Sequence, residues 1–263
     1  MLTTALQQLR LDDGRTVTCT SPAEARMLWG ETTSAHGFYR RAAEHLRPGD
    51  IALDIGANIG LTAMMFADIC PGIQVIAVEP APMTYRCLDR NIAAHVPAGL
   101  SLELAVGASP GTRAFTWYPR ASANSGFFAD READDQATRI YLRNCGLDDK
   151  AIGLITNGLH EGVPLQVEVT TVSAILDEHC RDREIGLLKV DVERAELDVL
   201  RGITDTDWRR IHAVVAEIHD IEDRLREVRE LFDQHGMSVQ AQQDPRLVGT
   251  EIHEVFATRP RAA

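Results

Sequence analysis

The chain has 263 residues, long enough for one large α/β domain with additions, and its 44% hydrophobic and 25% charged content is ordinary for a soluble globular protein. Its formal net charge of −12 repels phosphate backbones and anionic bilayers, and so argues against a nucleic-acid binder and against a membrane partner. No apolar run reaches bilayer length, Met1-Leu2-Thr3-Thr4-Ala5 lacks a signal-peptide pattern, and the five cysteines are scattered without a C-x-x-C pair; a cytoplasmic protein with reduced thiols and no structural zinc is expected.

Residues 1–47 read as an N-terminal cap segment, too short for a core of its own and expected to pack over the cofactor edge of the main sheet. Asp12-Asp13-Gly14-Arg15 predicts a hairpin turn, and a helix is predicted from about Ala35 to His45, stopped by Pro48-Gly49. Arg40, Arg41 and Arg47 are either the solvated face of that helix or a dock for an acidic partner, such as a carrier protein with a phosphopantetheine arm.

The main domain is assigned to residues 48–263. A strand, Asp50-Ile51-Ala52-Leu53, feeds the loop Asp54-Ile55-Gly56-Ala57-Asn58-Ile59-Gly60, and the helix leaving it carries Leu61, Met65 and Ile69 on one stripe. A second strand, Val75-Ile76-Ala77-Val78, ends on Glu79-Pro80. Strand, glycine loop, helix, strand and acid together make the ribose-nucleotide half of a doubly wound sheet. Gly56 admits positive φ and close backbone approach to a ligand, Asn58 tolerates left-handed geometry, and Gly60 is expected to let the next helix pack tightly on the sheet. Glu79 is placed to accept hydrogen bonds from two ribose hydroxyls. The bland alternative is a structural turn with a surface glutamate. A dinucleotide loop needs a glycine where Asn58 stands, so the pattern G-x-x-x-G favours the smaller amino-acid end of S-adenosylmethionine over a pyrophosphate.

Tyr85, Leu88 and Ile92 mark the following helix, and Leu100 to Val106 read as a third strand. Residues 107–163 are the least regular stretch and are taken as an insertion or lid. They hold Trp117, Tyr118, Phe127 and Phe128, the polar tract Ala121 to Ser125 and the acidic run Asp130 to Asp135. Trp117, Asn124 and Ser125 are candidate substrate contacts; a self-packed excursion is the alternative. Regular structure resumes with a strand at Gln166 to Thr170, a helix through Val172, Ile175, Leu176 and Cys180, and a strand Leu187 to Val190 running into Asp191-Val192-Glu193-Arg194-Ala195-Glu196. A strand Ala213 to Ile218 follows, then a stripe Ile221, Leu225, Val228, Phe232, and short strands near Met237 to Val239 and Glu254 to Ala257.

In an open α/β sheet the ligand lies beyond the carboxyl ends of the parallel strands. The polar residues there are Asp54, Glu79, Asp191 with Glu193, and Glu217 with His219 and Asp220. Methyl transfer to a hydroxyl needs alignment and removal of a proton. His219 is the candidate base, and Asp191 is expected to orient the acceptor, hold the donor's ammonium or act as the base itself. Glu217 is a candidate substrate contact. Asp191, Glu217 and His219 also form a possible divalent-metal set. The bland alternatives are a helix-capping histidine and a buried, hydrogen-bonded glutamate.

Three blocks resemble the FkbM-type family of class I S-adenosylmethionine-dependent methyltransferases: Pro48-Gly49-Asp50 with the loop from Asp54 to Gly60; Leu188-Lys189-Val190-Asp191-Val192-Glu193 with Ala195, Glu196 and Leu200; and Val214 through Asp220. The resemblance implies a seven-stranded, Rossmann-like, mostly parallel sheet with an antiparallel last strand and helices on both faces. It also implies O-methylation of a small-molecule hydroxyl, often on a polyketide, macrolide or sugar of secondary metabolism. Under it Asp54, Gly56, Ala57, Asn58 and Gly60 would hold the donor, Glu79 and Pro80 its ribose side, and Asp191 would lie beside the reacting centre. Arg194 departs from the pattern, since the family commonly has glycine after Val-Glu. Residues 1–47 and 107–163 carry little likeness and are expected to hold the acceptor specificity. A nicotinamide oxidoreductase or a non-catalytic donor-binding module are the alternatives.

Overall fold

In the computed structural model, which describes residues 5–35 and 37–260, the Asp13-Gly14 turn closes a hairpin of β1 (Gln7–Arg10) and β2 (Thr16–Cys19). Residues 1–4, on which the signal-peptide reading rested, and His36 in the predicted helix lie outside the described residues. Next comes α1 (Pro22–Thr33), which was not expected, although Ser21 as N-cap and Pro22 at the first helical position are its sequence signature. The helix predicted from Ala35 to His45 is shorter, α2 (Phe38–Ala43).

The parallel core alternates β3 (Ile51–Ile55), α3 (Leu61–Ile69), β4 (Gln74–Val78), α4 (Pro82–His95) and β5 (Gly99–Leu102). The predicted strand 100–106 is in fact two. Its second half is β6 (Ala105–Val106), which leaves the main sheet and joins β7 (Gly111–Trp117) and β8 (Val163–Thr170) in a separate three-stranded sheet. Between β7 and β8 lie α5 (Arg131–Asn144) and α6 (Asp149–Thr156), so the insertion is a built unit rather than an irregular lid. The acidic run is the start of α5: Asp130 accepts from the amides of Glu132 and Ala133, and the carboxylates of the first turn suit the positive end of the helix.

The second half of the fold runs α7 (Val172–Ile175), continued by a π-helical turn Leu176–Cys180, then β9 (Ile185–Val190), α8 (Glu196–Arg201), α9 (Asp205–Trp208), β10 (Ala213–His219), α10 (Arg224–Gln234), β11 (Ser238–Gln242) and β12 (Ile252–Thr258). The main sheet has seven strands in the order β11-β12-β10-β9-β3-β4-β5, with β12 antiparallel to both neighbours, as expected. Strands β3, β4, β9 and β10 are nearly continuous apolar runs because helices cover both faces.

One face buries Met64, Phe66, Leu88 and Ile92 against Val17 and Trp29 of the N-terminal segment, so that segment shares the domain's core. The other face packs Val172, Leu200, Trp208 and Phe232.

Gly56 takes the positive φ read in the sequence, but the close approach it permits is to the chain's own backbone, and Gly60 has a different reason from the one read. Gly56 (φ 75°) lies against the Asp191 carbonyl, and a Cβ there would sit 1.7 Å from that oxygen. Gly60 (φ 89°) is needed against helix α4 rather than the sheet, since its Cβ would fall 2.8 Å from Leu88 Cδ1. Gly56→Ala combines a backbone clash with a disfavoured φ, and is expected to destabilise the fold by about 3 kcal/mol or more, read as a lowered urea midpoint. Gly60→Ala meets only a movable leucine tip and should cost less.

Candidate active site

The carboxyl ends of β3, β4, β9 and β10 open into a cavity of about 840 Å³. Gly56, Ala57, Asn58, Glu79, Pro80, Asn124, Ser125, Asp191 and Glu217 line it, together with Glu193, named from its strand-end position, and Tyr39, which was not singled out. Asp54, Gly60, Trp117 and His219 do not. Met27 and Leu28 of α1, Thr138, Tyr141 and Leu142 of α5, and Leu247 and Ile252 near the C-terminus complete a largely apolar wall.

The floor is organised by Lys189, 2% exposed in an otherwise apolar strand. Its Nζ lies 3.0 Å from Asp54 Oδ1 and 3.3 Å from Asp191 Oδ2, and it donates to the Gly56 carbonyl at 2.9 Å. Burial alone would lower the ammonium's pKa, but Asp54 and Asp191 outweigh it and the group is held charged. Asp54, fully buried, is therefore an anchor beneath the loop rather than a donor contact. Tyr39 of α2 donates its hydroxyl to Asp191 Oδ2 at 3.0 Å, and Lys189 Nζ sits 5.3 Å from the centre of its ring. The N-terminal segment thus reaches the reacting end of the sheet.

Glu79 is fixed from behind by the amides of Asn58 (3.2 Å) and Ala81 (2.9 Å), and burial pushes its carboxyl up to about 7. Asn58, at φ 49°, adopts the left-handed geometry read from the sequence, and its amide donates to Ser122 Oγ at 3.1 Å. Ser122 donates in turn to Glu24 of α1, which also accepts from the Ala123 amide, and burial raises the Glu24 carboxyl to about 7 as well. Donor loop, insertion and N-terminal helix meet at this junction. A second clasp joins Tyr141 of α5 and Arg246 to Glu31 of α1.

His219 corrects the expectation of a cavity-facing base. Its ring is buried, with Nδ1 2.9 Å from Glu196 Oε1 and Nε2 3.3 Å from Glu193 Oε2. Burial disfavours its charge, yet the two carboxylates raise its pKa well above the usual value, so it is an imidazolium that orients Glu193. The metal set expected from Asp191, Glu217 and His219 changes accordingly: among the described residues it is Asp191, Glu193 and Glu217 that can bring carboxylate oxygens within 4.8 Å of one another. Burial, then Asp191 and Glu193, push Glu217 well above the usual carboxylate range. Trp117 is likewise a core residue, donating Nε1 to Thr84 Oγ1 at 3.1 Å. Arg41 and Arg47 are exposed, and Arg40 is partly buried.

The Methyltransferase FkbM domain model matches residues 54–239. The chain belongs to the FkbM methyltransferase family. It is 40% identical over 256 residues to the 31-O-demethyl-FK506 methyltransferase FkbM of Streptomyces tacrolimicus, with 97% of each chain covered. It is 30% identical to Methyltransferase 1 of Beauveria bassiana over 71% of this chain and 72% of that one. A 31% match to the AMB antimetabolite synthetase AmbE of Pseudomonas aeruginosa covers 84% of this chain and 11% of AmbE. Among the described residues no helix is long and apolar enough to cross a membrane.

In this FkbM-family chain the turn after Asp191 is unusual, for Glu193 (φ 52°) and Arg194 (φ 69°) are consecutive left-handed residues, each costing on the order of 1 kcal/mol or more. Lys189, Tyr39 and Glu24 were not read as functional from the sequence, and Glu193 was named at its strand end without a role. A lysine inside Leu187-Leu188-Lys189-Val190 was the one available signal, because a charge in a buried strand needs a partner.

Lys189→Met leaves Asp54 buried beside no cation and should cost about 3–5 kcal/mol in denaturant unfolding, whereas adding Asp54→Asn should recover part of that loss. Glu24 and Glu79 keep their protons in the folded chain to about 7, against an ordinary 4.5, so their contribution to stability is fullest below 4.5 and falls as pH rises from there to about 7. Urea unfolding at pH 5 and pH 7.5 should show the fall, up to about 3 kcal/mol per group, and Glu24→Gln should flatten part of it.

Proposed function

We propose that this FkbM-family methyltransferase moves the methyl group of S-adenosylmethionine to a hydroxyl of a bulky, largely apolar and uncharged small molecule. The observation that carries the reading is one cavity, larger than a methyl donor needs, which the Gly56–Asn58 loop and Glu79 share with Asp191, Glu193 and Glu217. The loop suits the methionine end of the donor, and the buried, backbone-held Glu79 suits its ribose hydroxyls. The acidic rim favours a sulfonium cation and disfavours an anionic acceptor. A relative of 40% identity that carries O-demethyl-FK506 in its name supports a hydroxyl on a large molecule.

In the transfer the acceptor oxygen bonds the methyl carbon as the carbon–sulfur bond breaks, and the hydroxyl proton must go to a base. Asp191 is engaged by Lys189 and Tyr39, so its carboxylate is a fixed element of the donor side. Glu193 lines the cavity with the His219 imidazolium behind it, and is the group placed to take the proton. A second reading rests on the same trio: Asp191, Glu193 and Glu217 are hard oxygen donors that fit a divalent cation. Such an ion would polarise the acceptor oxygen.

Isothermal titration should show S-adenosylhomocysteine binding and no NAD binding; tight NAD binding with none of the demethylated donor would overturn the reading. With donor and 31-O-demethyl-FK506 as a bulky hydroxyl probe, mass spectrometry should detect the gain of one methyl group. Glu193→Gln should then lower kcat by about 10²–10⁴ while leaving S-adenosylhomocysteine affinity intact. Full activity after EDTA treatment excludes the metal reading, and loss restored by Mg²⁺ establishes it.

A further inference from the structure

The strained turn at Glu193 and Arg194 is held from two sides. Towards the sheet, the Arg194 amide donates to Glu196 Oε1 at 2.8 Å, and Arg224 Nη1 donates to the Arg194 carbonyl at 2.6 Å. Glu196 also grips His219, which grips Glu193. Towards the insertion, the Arg194 guanidinium leaves the turn altogether. Its Nη2 lies 2.7 Å from Asp134 Oδ1 of α5, and its Nη1 donates to the Phe128 carbonyl at 3.2 Å.

That ion pair is nearly dry, with side-chain exposures of 10% for Arg194 and 4% for Asp134. The other oxygen of Asp134 accepts from the Tyr118 hydroxyl at 2.8 Å and from the Asp130 amide at 3.2 Å. Tyr118 meets His160 edge-on, and His160 contacts Asn124, a cavity residue, at 3.4 Å. Gly126 lies against the same turn, where a Cβ would come within 3.0 Å of the Glu193 carbonyl. Arg194 itself does not line the cavity.

We propose that Arg194 is a positioning residue for the acceptor side of the reaction. Through Asp134 it locks the insertion onto the turn that carries Asp191 and Glu193, so the wall that holds the acceptor and the carboxylates that meet it move as one body. The acceptor role of that wall rests on the hydroxyl-transfer reading above; the mechanical coupling does not. The geometry gives the reason for a left-handed arginine where a glycine would fit without strain: a glycine has no side chain to reach Asp134. The 55–60 loop keeps ties that do not pass through Arg194: Lys189 holds Asp54 and the Gly56 carbonyl, and the Asn58 amide holds Glu79.

The test is hydrogen–deuterium exchange on the full chain saturated with S-adenosylhomocysteine, comparing wild type with Arg194→Gly, Arg194→Ala, Arg194→Lys and Asp134→Asn. In Arg194→Gly, amides of 126–135 and of 193–196 should exchange at least tenfold faster together, while those of 55–60 stay unchanged and S-adenosylhomocysteine Kd stays within twofold. Arg194→Lys should restore part of the protection, and Asp134→Asn should reproduce the paired effect. Arg194→Gly, freed of the left-handed side chain, should melt above Arg194→Ala. Insertion exchange that is unchanged in Arg194→Gly, or a uniform rise across the whole chain with lost donor affinity, would overturn the proposal. Each outcome is read without an acceptor, so failure here is separate from failure to methylate a hydroxyl probe.

Discussion

A single buried ammonium sets the shape of the reacting end of this protein. Lys189 stands where β9 ends, and its three acceptors come from β3, from the loop that follows β3 and from the residue after β9 itself. A cation taken out of water costs several kcal/mol unless its partners are close and oriented, so these groups are held to one arrangement. Gly56 completes it: only a residue without Cβ lets the loop lie on the Asp191 carbonyl. The 54–60 loop and Asp191 are therefore joined below the cavity, ahead of the turn at Glu193 and Arg194.

Above that floor the site is built from segments distant in the chain. Tyr39 and Glu24 arrive from the N-terminal helices, Ser122, Asn124 and Tyr141 from the insertion, and Arg246 from the segment between β11 and β12. Polar contacts hold these pieces together: Glu24 with Ser122 and Ala123, Glu31 with Tyr141 and Arg246, Arg194 with Asp134. These polar joints keep the pieces of the apolar wall in register. Three carboxylates, Asp191, Glu193 and Glu217, gather at the rim, with Lys189 and His219 as the cations behind them.

The central sheet was legible because its strands are near-continuous apolar runs broken by glycine and acid, a local signal. The loop from Asp54 to Gly60 and the acid at 79 were legible for the same reason. Less visible was the split of residues 100–106 into β5 and β6, since a strand changing sheets keeps the same alternation on both sides of the break. Strand β7 hid in a stretch judged irregular, although Phe115 and Trp117 alternate inward; its partner β8 is distant in sequence, and pairing at that range leaves no local mark. Helix α1 carries Ser21 and Pro22 at its start but has a weak apolar stripe, with Ala25 and Trp29 as its buried residues.

The sequence by itself determined the sheet, the place of the loop, the acid beyond β4 and the family, because each rests on neighbouring residues and on spacings that backbone geometry enforces. Tertiary structure alone decided which polar side chains face the cavity. His219 and Asp54 stand at strand ends as the pattern requires, yet each is turned to a buried counter-charge, Glu193 and Glu196 for one and Lys189 for the other. A strand-end position specifies the rim but not the rotamer, and burial makes a charged group seek its nearest opposite partner, which only the packed chain supplies.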